Sequence, residues 1–369
     1  MDASIIPIET LISNDHASPA LPLTEDKRVR APRGFLCSRP WTGFEVENGQ
    51  VRMCCWARHS WGSITDTSIN DIWNSEAAQA TRRAMTRGEY DSICTADCPY
   101  LPGILKDSPP TEVHTEEFKK NLDLNIKEIQ AGAEVLQSKP RYFKVLHSTL
   151  CNIDCVMCYQ DRTNSYSIPE SFYRDLTLYY PTAQQILLMG GEPLAIRRVR
   201  EFVRGFPQHD YPDVGFAFIT NGTIHDDNTI KLIEPLHISR INISLDAATA
   251  GTYEAIRHKS VWNNTVRGID VFASLATKHN FPLTLGFTVM RGNQHEVSAF
   301  VRFAHGYNLD CHFSLVNGIK GNQFIVDIDQ LRKHLRDGLQ CATLLANDKP
   351  GVLVRARGTL SYLLSLLEE

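Results

Sequence analysis

Three cysteines stand in the stretch CNIDCVMCYQ, at positions 151, 155 and 158, a C-x3-C-x2-C spacing with no fourth cysteine close by. A closed structural zinc site draws on four ligands in paired spacing, which this loop does not offer. Three thiolates can instead hold three corners of a cubane 4Fe–4S cluster and leave one iron open to an outside ligand. A zinc knuckle completed by a distant ligand, or plain buried thiols, are the competing readings. A second group follows C-x11-G-x4-C and then C-x3-C, with Cys37, Cys54, Cys94 and Cys98 as its members. Four thiolates would fully ligate one further cluster or, alternatively, a tetrahedral zinc. Cys55 is left over beside Cys54, and its readings are a replacement for Cys54 as ligand, an inert core thiol, or a hydrogen-atom donor. Cys311 and Cys341 belong to neither group and read as packing thiols.

These groups need elements to position them. The chain has 369 residues, 43% hydrophobic and 22% charged, which is enough for a sizeable core and two or three domains. A formal charge of −4 without a basic stripe argues against a nucleic-acid binder, and no apolar run approaches the length of a membrane span. The start MDASIIPIETLISNDHASPALP lacks a basic region followed by an apolar one, so the expected location is the cytoplasm, where clustered cysteines more often bind metal than pair.

Residues 1–30 read as a mobile arm, and 31–105 as a small cysteine-bearing module. In that module FEVENGQVRM predicts a hairpin turning at Asn48-Gly49, and Thr67 or Ser68 predicts the cap of a helix that turns Ile69, Ile72 and Trp73 inward. Residues 106–140 read as a linker with a polar helix ending at Gly132. From 141 to 320, six strand patterns (RYFKVLHS, QQILLMG, VGFAFIT, ISRINISLD, LTLGFTVM, DCHFSLV) alternate with helical ones, which implies a parallel sheet, either open or a partial barrel. Residues 321–369 read as two helices covering an end. Reactive groups in such folds sit at the carboxyl ends of strands, which is where the 151–158 loop falls. Period-2 parity turns Asn242, Ser244 and Asp246 inward, and likewise Thr284, Gly286, Thr288 and Met290. Cys311 then faces outward while Asp310, His312 and Ser314 face in; His147 and Asn317 are further inward polar candidates.

Successive strand ends carry CNIDCVMCY, MGGEPL, ITNGT and SLDAATAGTYEAIR. Together these resemble the radical S-adenosylmethionine superfamily over residues 141–317. The resemblance implies a partial (β/α)6 TIM-like barrel in which Cys151, Cys155 and Cys158 hold the open 4Fe–4S cluster. It also implies that S-adenosylmethionine chelates the open iron and, on one-electron reduction, releases a 5′-deoxyadenosyl radical. The cofactor-binding set it implies is Met157, Tyr159, Gly190, Gly191, Glu192, Asn221, Ser244, Asp246, Arg257 and Thr288. Of these, Glu192 is expected to accept from the methionyl ammonium, and Ser244 and Asp246 to meet ribose or carboxylate. Arg257 is expected to pair with the cofactor's carboxylate. Met157 stands where many family members carry an aromatic residue. The first cysteine module resembles the SPASM or twitch auxiliary-cluster domains, although here it precedes the barrel, and it implies one auxiliary 4Fe–4S cluster on Cys37, Cys54, Cys94 and Cys98.

The reaction expected from this set is removal of a carbon-bound hydrogen from a polar substrate and its return on the opposite face. That is an epimerase or isomerase acting on a sugar-containing natural product or a peptide, with Cys55 as hydrogen-atom donor. The alternative is an oxidoreductase, a dehydrogenase or peptide crosslinking enzyme, with the auxiliary cluster accepting the electron. The expected partners are an electron donor such as flavodoxin or ferredoxin and the substrate, with neither nucleic acid nor membrane.

Overall fold

A computed structural model of the chain describes residues 36–95, 98, 110, 112–160, 166–316, 327–349 and 351–367. The expected arm at 1–30 and the inward candidate Asn317 lie outside the described residues. The N-terminal module runs α1 (Arg39–Thr42), β1 (Gly43–Glu47), β2 (Gln50–Arg52), β3 (Gly62–Ser63), α2 (Ile69–Trp73), α3 (Glu76–Arg87) and α4 (Tyr90–Ile93). Asn48 and Gly49 take φ of 48° and 79°, as a tight hairpin turn between β1 and β2 requires. Ser68 caps α2 by accepting from the Asp71 amide, and Ile69, Ile72 and Trp73 are buried. Ser75 interrupts the helical run by capping α3. Arg82 is fully buried at the module's centre, donating to the carbonyls of Pro40, Trp73 and Glu134.

The following helix α5 (Glu116–Ala131) starts at the Thr115 cap and ends at Gly132 with φ 61°. It is more than a polar connector. Phe118 is fully buried, Asn125 donates to the Trp41 carbonyl at 2.6 Å, and Glu128 accepts from the Gln137 amide at 2.6 Å. One face of α5 therefore clamps α1 and the chain entering the next strand.

The barrel follows as β4 (Tyr142–Leu146), β5 (Asp154–Cys155), α6 (Glu170–Leu176), β6 (Gln185–Met189), α7 (Arg197–Gly205), β7 (Gly215–Thr220), α8 (Asp227–Ile233), β8 (Ile238–Ser244) and α9 (Ala250–Ile256). It continues with β9 (Arg257–His258), α10 (Trp262–His279), β10 (Leu283–Val289), α11 (Val297–Gly306) and β11 (Asp310–Leu315), then α12 (Ile328–Asp348) and α13 (Val354–Leu367). Among the described residues the main sheet has the order β11-β10-β8-β7-β6-β4-β1-β2-β3, and all pairings from β4 to β11 are parallel. The six barrel strands lie side by side in chain order without the reversal that marks a doubly wound open sheet, which decides for a partial barrel. Ile241, Ile243 and Leu245 are essentially inaccessible under the helices, as the alternation requires.

One feature of the topology is not local. The hairpin strand β1 pairs in parallel with β4, in the register Glu45↔Lys144, so the cysteine module extends the barrel's own sheet. Lys144 and Glu45 then lie side by side on one face and form an ion pair at 2.7 Å.

Candidate active site

The loop after β4 is built on close backbone contacts with the GGE turn after β6. Gly190 has φ 150°, and a Cβ on Gly191 would lie 2.0 Å from the Leu150 carbonyl oxygen. The Gly191 and Glu192 amides donate to the Ser148 and Leu150 carbonyls at 2.8 and 2.9 Å. Both glycines thus allow close approach of the cysteine loop itself, where a cofactor contact was expected.

Glu192 is likewise engaged. Its carboxylate is fully buried and accepts from Leu194 N and Thr220 Oγ1 on one oxygen and Asn221 N on the other. Burial pushes it up to about 7, against the pull of those hydrogen bonds and of Arg257. It ties the ends of β6 and β7 together from a fully buried position. Asn221 extends this support, donating to Asn152 Oδ1 at 2.9 Å beside Cys151, and Asn152 in turn donates to Thr223.

Asp246 and Arg257 pair with each other. Asp246 sits at φ 61° just past β8; its Oδ2 takes Arg257 Nη2 and Nε at 2.6 and 3.1 Å, and its Oδ1 takes the Thr288 amide at 2.6 Å. Both side chains are buried, and each occupies the other. Arg257 stands opposite Cys155 in the antiparallel pair β5–β9. Two supports carried no motif. Asn293 donates to the Asp246 and Thr288 carbonyls, and buried Glu296 accepts from the Ala248 amide and the Thr249 and Thr252 hydroxyls.

The concave face is polar along β8, β10 and β11. Asn242 accepts from Thr284, and Gly286 leaves the room that Asn242 and His312 occupy on either side. Ser244 is half-buried in register with Gly286, and Ser314 is exposed in register with Thr288. Burial, with Arg355 and Arg240, lowers His312 to about 4, so its ring is neutral near pH 7. His147 is not on this face: it shares parity with Phe143 and Val145, stacks on Tyr173 and bonds its hydroxyl at 2.6 Å. Met157 is half-buried and the Tyr159 ring exposed.

All ten cysteines are described and none is in a disulfide. Among the described residues no three His, Cys, Asp or Glu side chains converge as a ready-made site for a metal ion. The thiols nevertheless form two neighbourhoods. Burial raises Cys155 to about 11, with Arg257 opposing and Asp246, Cys151 and Cys158 adding to the rise. Cys94 is raised by its hydrogen bond to Cys98, by burial, and by the charges of Cys98, Cys54 and Cys37. Thiols that oppose one another's ionisation in a buried setting suit a cationic centre able to carry their charge, so both sets fit an iron–sulfur cluster. Cys55 turns elsewhere. Its thiol is accessible but lies in a recess beside Lys144 and Glu45, where burial raises it to about 11 and Lys144 opposes the rise. A surface hollow of about 510 Å³ between α7 and α8 lies on the outer layer, away from these groups.

A partial parallel barrel whose first strand-end loop carries three cysteines, braced by a glycine-rich turn, defines a class of cluster-bearing barrel enzymes. Residues 145–304 match the radical SAM superfamily model, and residues 37–99 match the SPASM iron-sulfur cluster-binding domain. The chain thus carries a radical SAM domain with a SPASM domain ahead of it, and the cofactors these domains imply are S-adenosylmethionine and 4Fe–4S clusters. It is 28% identical over 168 residues to a probable GTP 3′,8-cyclase of Saccharolobus islandicus, covering 44% of this chain and 52% of that protein. It is 26% identical over 182 residues to the GTP 3′,8-cyclase of Synechocystis, covering 47% and 53%. The chain thus spans about half the length of the curated relatives it matches. Among solved structures it is similar to Streptococcus suis SuiB bound to S-adenosylmethionine, with TM-score 0.46 and 14% identity over 77% of this chain and 63% of that one.

Proposed function

We propose that this protein is a radical S-adenosylmethionine epimerase acting on a polar substrate, a sugar-containing metabolite or a peptide residue. Cys151, Cys155 and Cys158 would hold the open cluster, and Cys37, Cys54, Cys94 and Cys98 the auxiliary one. When bound and reduced, the cluster and S-adenosylmethionine supply a 5′-deoxyadenosyl radical that takes one hydrogen atom from a substrate carbon. The chain's own part is to bind the substrate over the concave face, with Asn242, Thr284, Ser244 and His312 as polar contacts, and to exclude water there. Cys55 then donates its thiol hydrogen to the opposite face of the carbon radical. The remaining thiyl is returned to thiol by one electron from an external reductant of the flavodoxin or ferredoxin class and one proton.

The observation that carries this reading is the placement of Cys55. It is accessible and next to Lys144–Glu45, whereas Cys54 is the neighbour of the buried thiols. The test is turnover in heavy water: wild type is expected to place one deuterium on the inverted carbon, and Cys55→Ala to consume cofactor without inverted product. Full inversion by Cys55→Ala would remove the role. A second reading, dehydrogenation or peptide crosslinking, draws support from the four-thiol auxiliary set, whose full ligation suits electron acceptance. It predicts oxidised product free of solvent deuterium.

A further inference from the structure

Asp246 and Arg257 form a buried ion pair. Arg257 is 5% and Asp246 1% exposed, and two guanidinium nitrogens meet one carboxylate oxygen at 2.6 and 3.1 Å. Removing one member of such a pair strands the other charge in a low dielectric, so the pair acts as a unit. Its two ends are tied to different parts of the site. On the arginine side, Arg257 lies opposite Cys155 in the β5–β9 ladder, and the Val156 amide donates to the Ile256 carbonyl at 2.9 Å. On the aspartate side, Oδ1 holds the Thr288 amide at 2.6 Å, and the Asp246 carbonyl takes Asn293 Nδ2 at 2.9 Å. Asp246 keeps a φ of 61°, a conformation a non-glycine residue holds only when its surroundings dictate it. The other charged groups around this point are Cys151, Cys158 and Glu192; the Lys259–Asp154 pair, at 3.6 Å, is on the exposed side.

We propose that the Asp246–Arg257 pair is a positioning brace for Cys155 that joins the cysteine loop to the end of β10 and sets the electrostatic balance at the cluster, in place of contacting the cofactor. Arg257 is the member paired with Cys155 across the β5–β9 ladder, whereas Asp246 lies past the end of β8 against the Thr288 amide, so the pair presents its positive side to the thiolate. A buried positive end beside the cluster favours the added electron, and a buried negative end disfavours it. Removing either member therefore has opposite consequences, which a merely structural role would not produce.

The test is a midpoint-potential titration of the anaerobically reconstituted full chain, followed by electron paramagnetic resonance without cofactor or substrate. Arg257→Met is expected to shift the potential of the 151–158 cluster to more negative values, Asp246→Asn to shift it to more positive values, and Arg257→Lys to restore most of the wild-type value. Shifts of the same sign, or none, would overturn the proposal. If Arg257→Met takes up no cluster, Asp246→Asn and Arg257→Lys decide by the same signs. In the unloaded protein, hydrogen exchange at the Val156 amide is expected to quicken several-fold in Asp246→Asn, and an unchanged rate would overturn the positioning. The inference rests on Cys151, Cys155 and Cys158 as cluster ligands: wild type without that cluster signal overturns both, whereas an intact signal with unmoved potentials overturns the brace alone.

Discussion

Glu192 is a carboxylate with no exposed surface, and the sign of its effect on stability follows from its hydrogen bonds and burial. Three donors favour its charged form, yet desolvation outweighs them and brings it to about 7 against an ordinary value of 4.5. Its folded pKa is raised, so between those values the folded protein retains a proton that the unfolded chain has released. Its contribution is fully present below about pH 4.5 and is lost as pH rises through 7. At 1.36 kcal/mol per unit this amounts to roughly 3 kcal/mol, most of it between pH 5 and 8. Glu192→Gln removes the titration and turns an amide N–H₂ toward one donor, a cost of about 1–3 kcal/mol that does not depend on pH. The assay is urea unfolding of cluster-free, reduced wild type and variant at pH 5 and pH 8. The variant is expected to be markedly less stable than wild type at pH 5, and the deficit to shrink or reverse at pH 8. An equal deficit at both pH values would refute the claim that burial governs this carboxylate.

Gly191→Ala drives a Cβ to 2.0 Å from the Leu150 carbonyl oxygen, so backbone must move; iron counting should find the 151–158 cluster poorly incorporated, and normal incorporation would refute the contact. Arg82→Met leaves three carbonyls without donors at the module's centre and should cost about 3–5 kcal/mol, read as lost near-UV dichroism from Trp61 and Trp73. An effect under about 1 kcal/mol would show that the guanidinium is replaceable. His147 is lowered to about 3 by burial, so its contribution is complete above pH 6.5 and is lost as pH falls toward 3, about 4–5 kcal/mol in all. His147→Phe should flatten that acid limb in denaturant titrations at pH 4.5 and 7, and an unchanged limb would place the titration elsewhere.

The six barrel strands were legible as short apolar runs between helical stretches, and the alternation of Ile241, Ile243 and Leu245 against Asn242, Ser244 and Asp246 is the clearest case. The hairpin was legible from Asn48-Gly49. Its pairing with β4 was not, since Glu45 and Lys144 are 99 positions apart and parallel pairing leaves no local trace. Motifs found Glu192, Asp246 and Arg257 as a set but could not tell that they are satisfied by Thr220, Asn221, Thr288 and each other, because those partners come from other strands. His147 fell to a parity slip: Lys144 is the β4 residue facing Glu45, which puts His147 with the outward set. Asn293 and Glu296 had no motif, and only the short polar stretch RGNQHE hinted at a capped turn. The choice between Cys54 and Cys55 depends on which way each thiol turns after β2, which spacing cannot encode.

The central claim is that the loop after the first barrel strand holds a cluster with one iron left for S-adenosylmethionine. The most direct measurement is electron paramagnetic resonance of the reduced, anaerobically reconstituted protein with and without S-adenosylmethionine, with 5′-deoxyadenosine assayed in the same sample. The account predicts an altered signal and 5′-deoxyadenosine in wild type, both lost in Cys155→Ala while the auxiliary signal persists. A fully loaded wild type whose spectrum ignores the added S-adenosylmethionine and which forms no 5′-deoxyadenosine would contradict it.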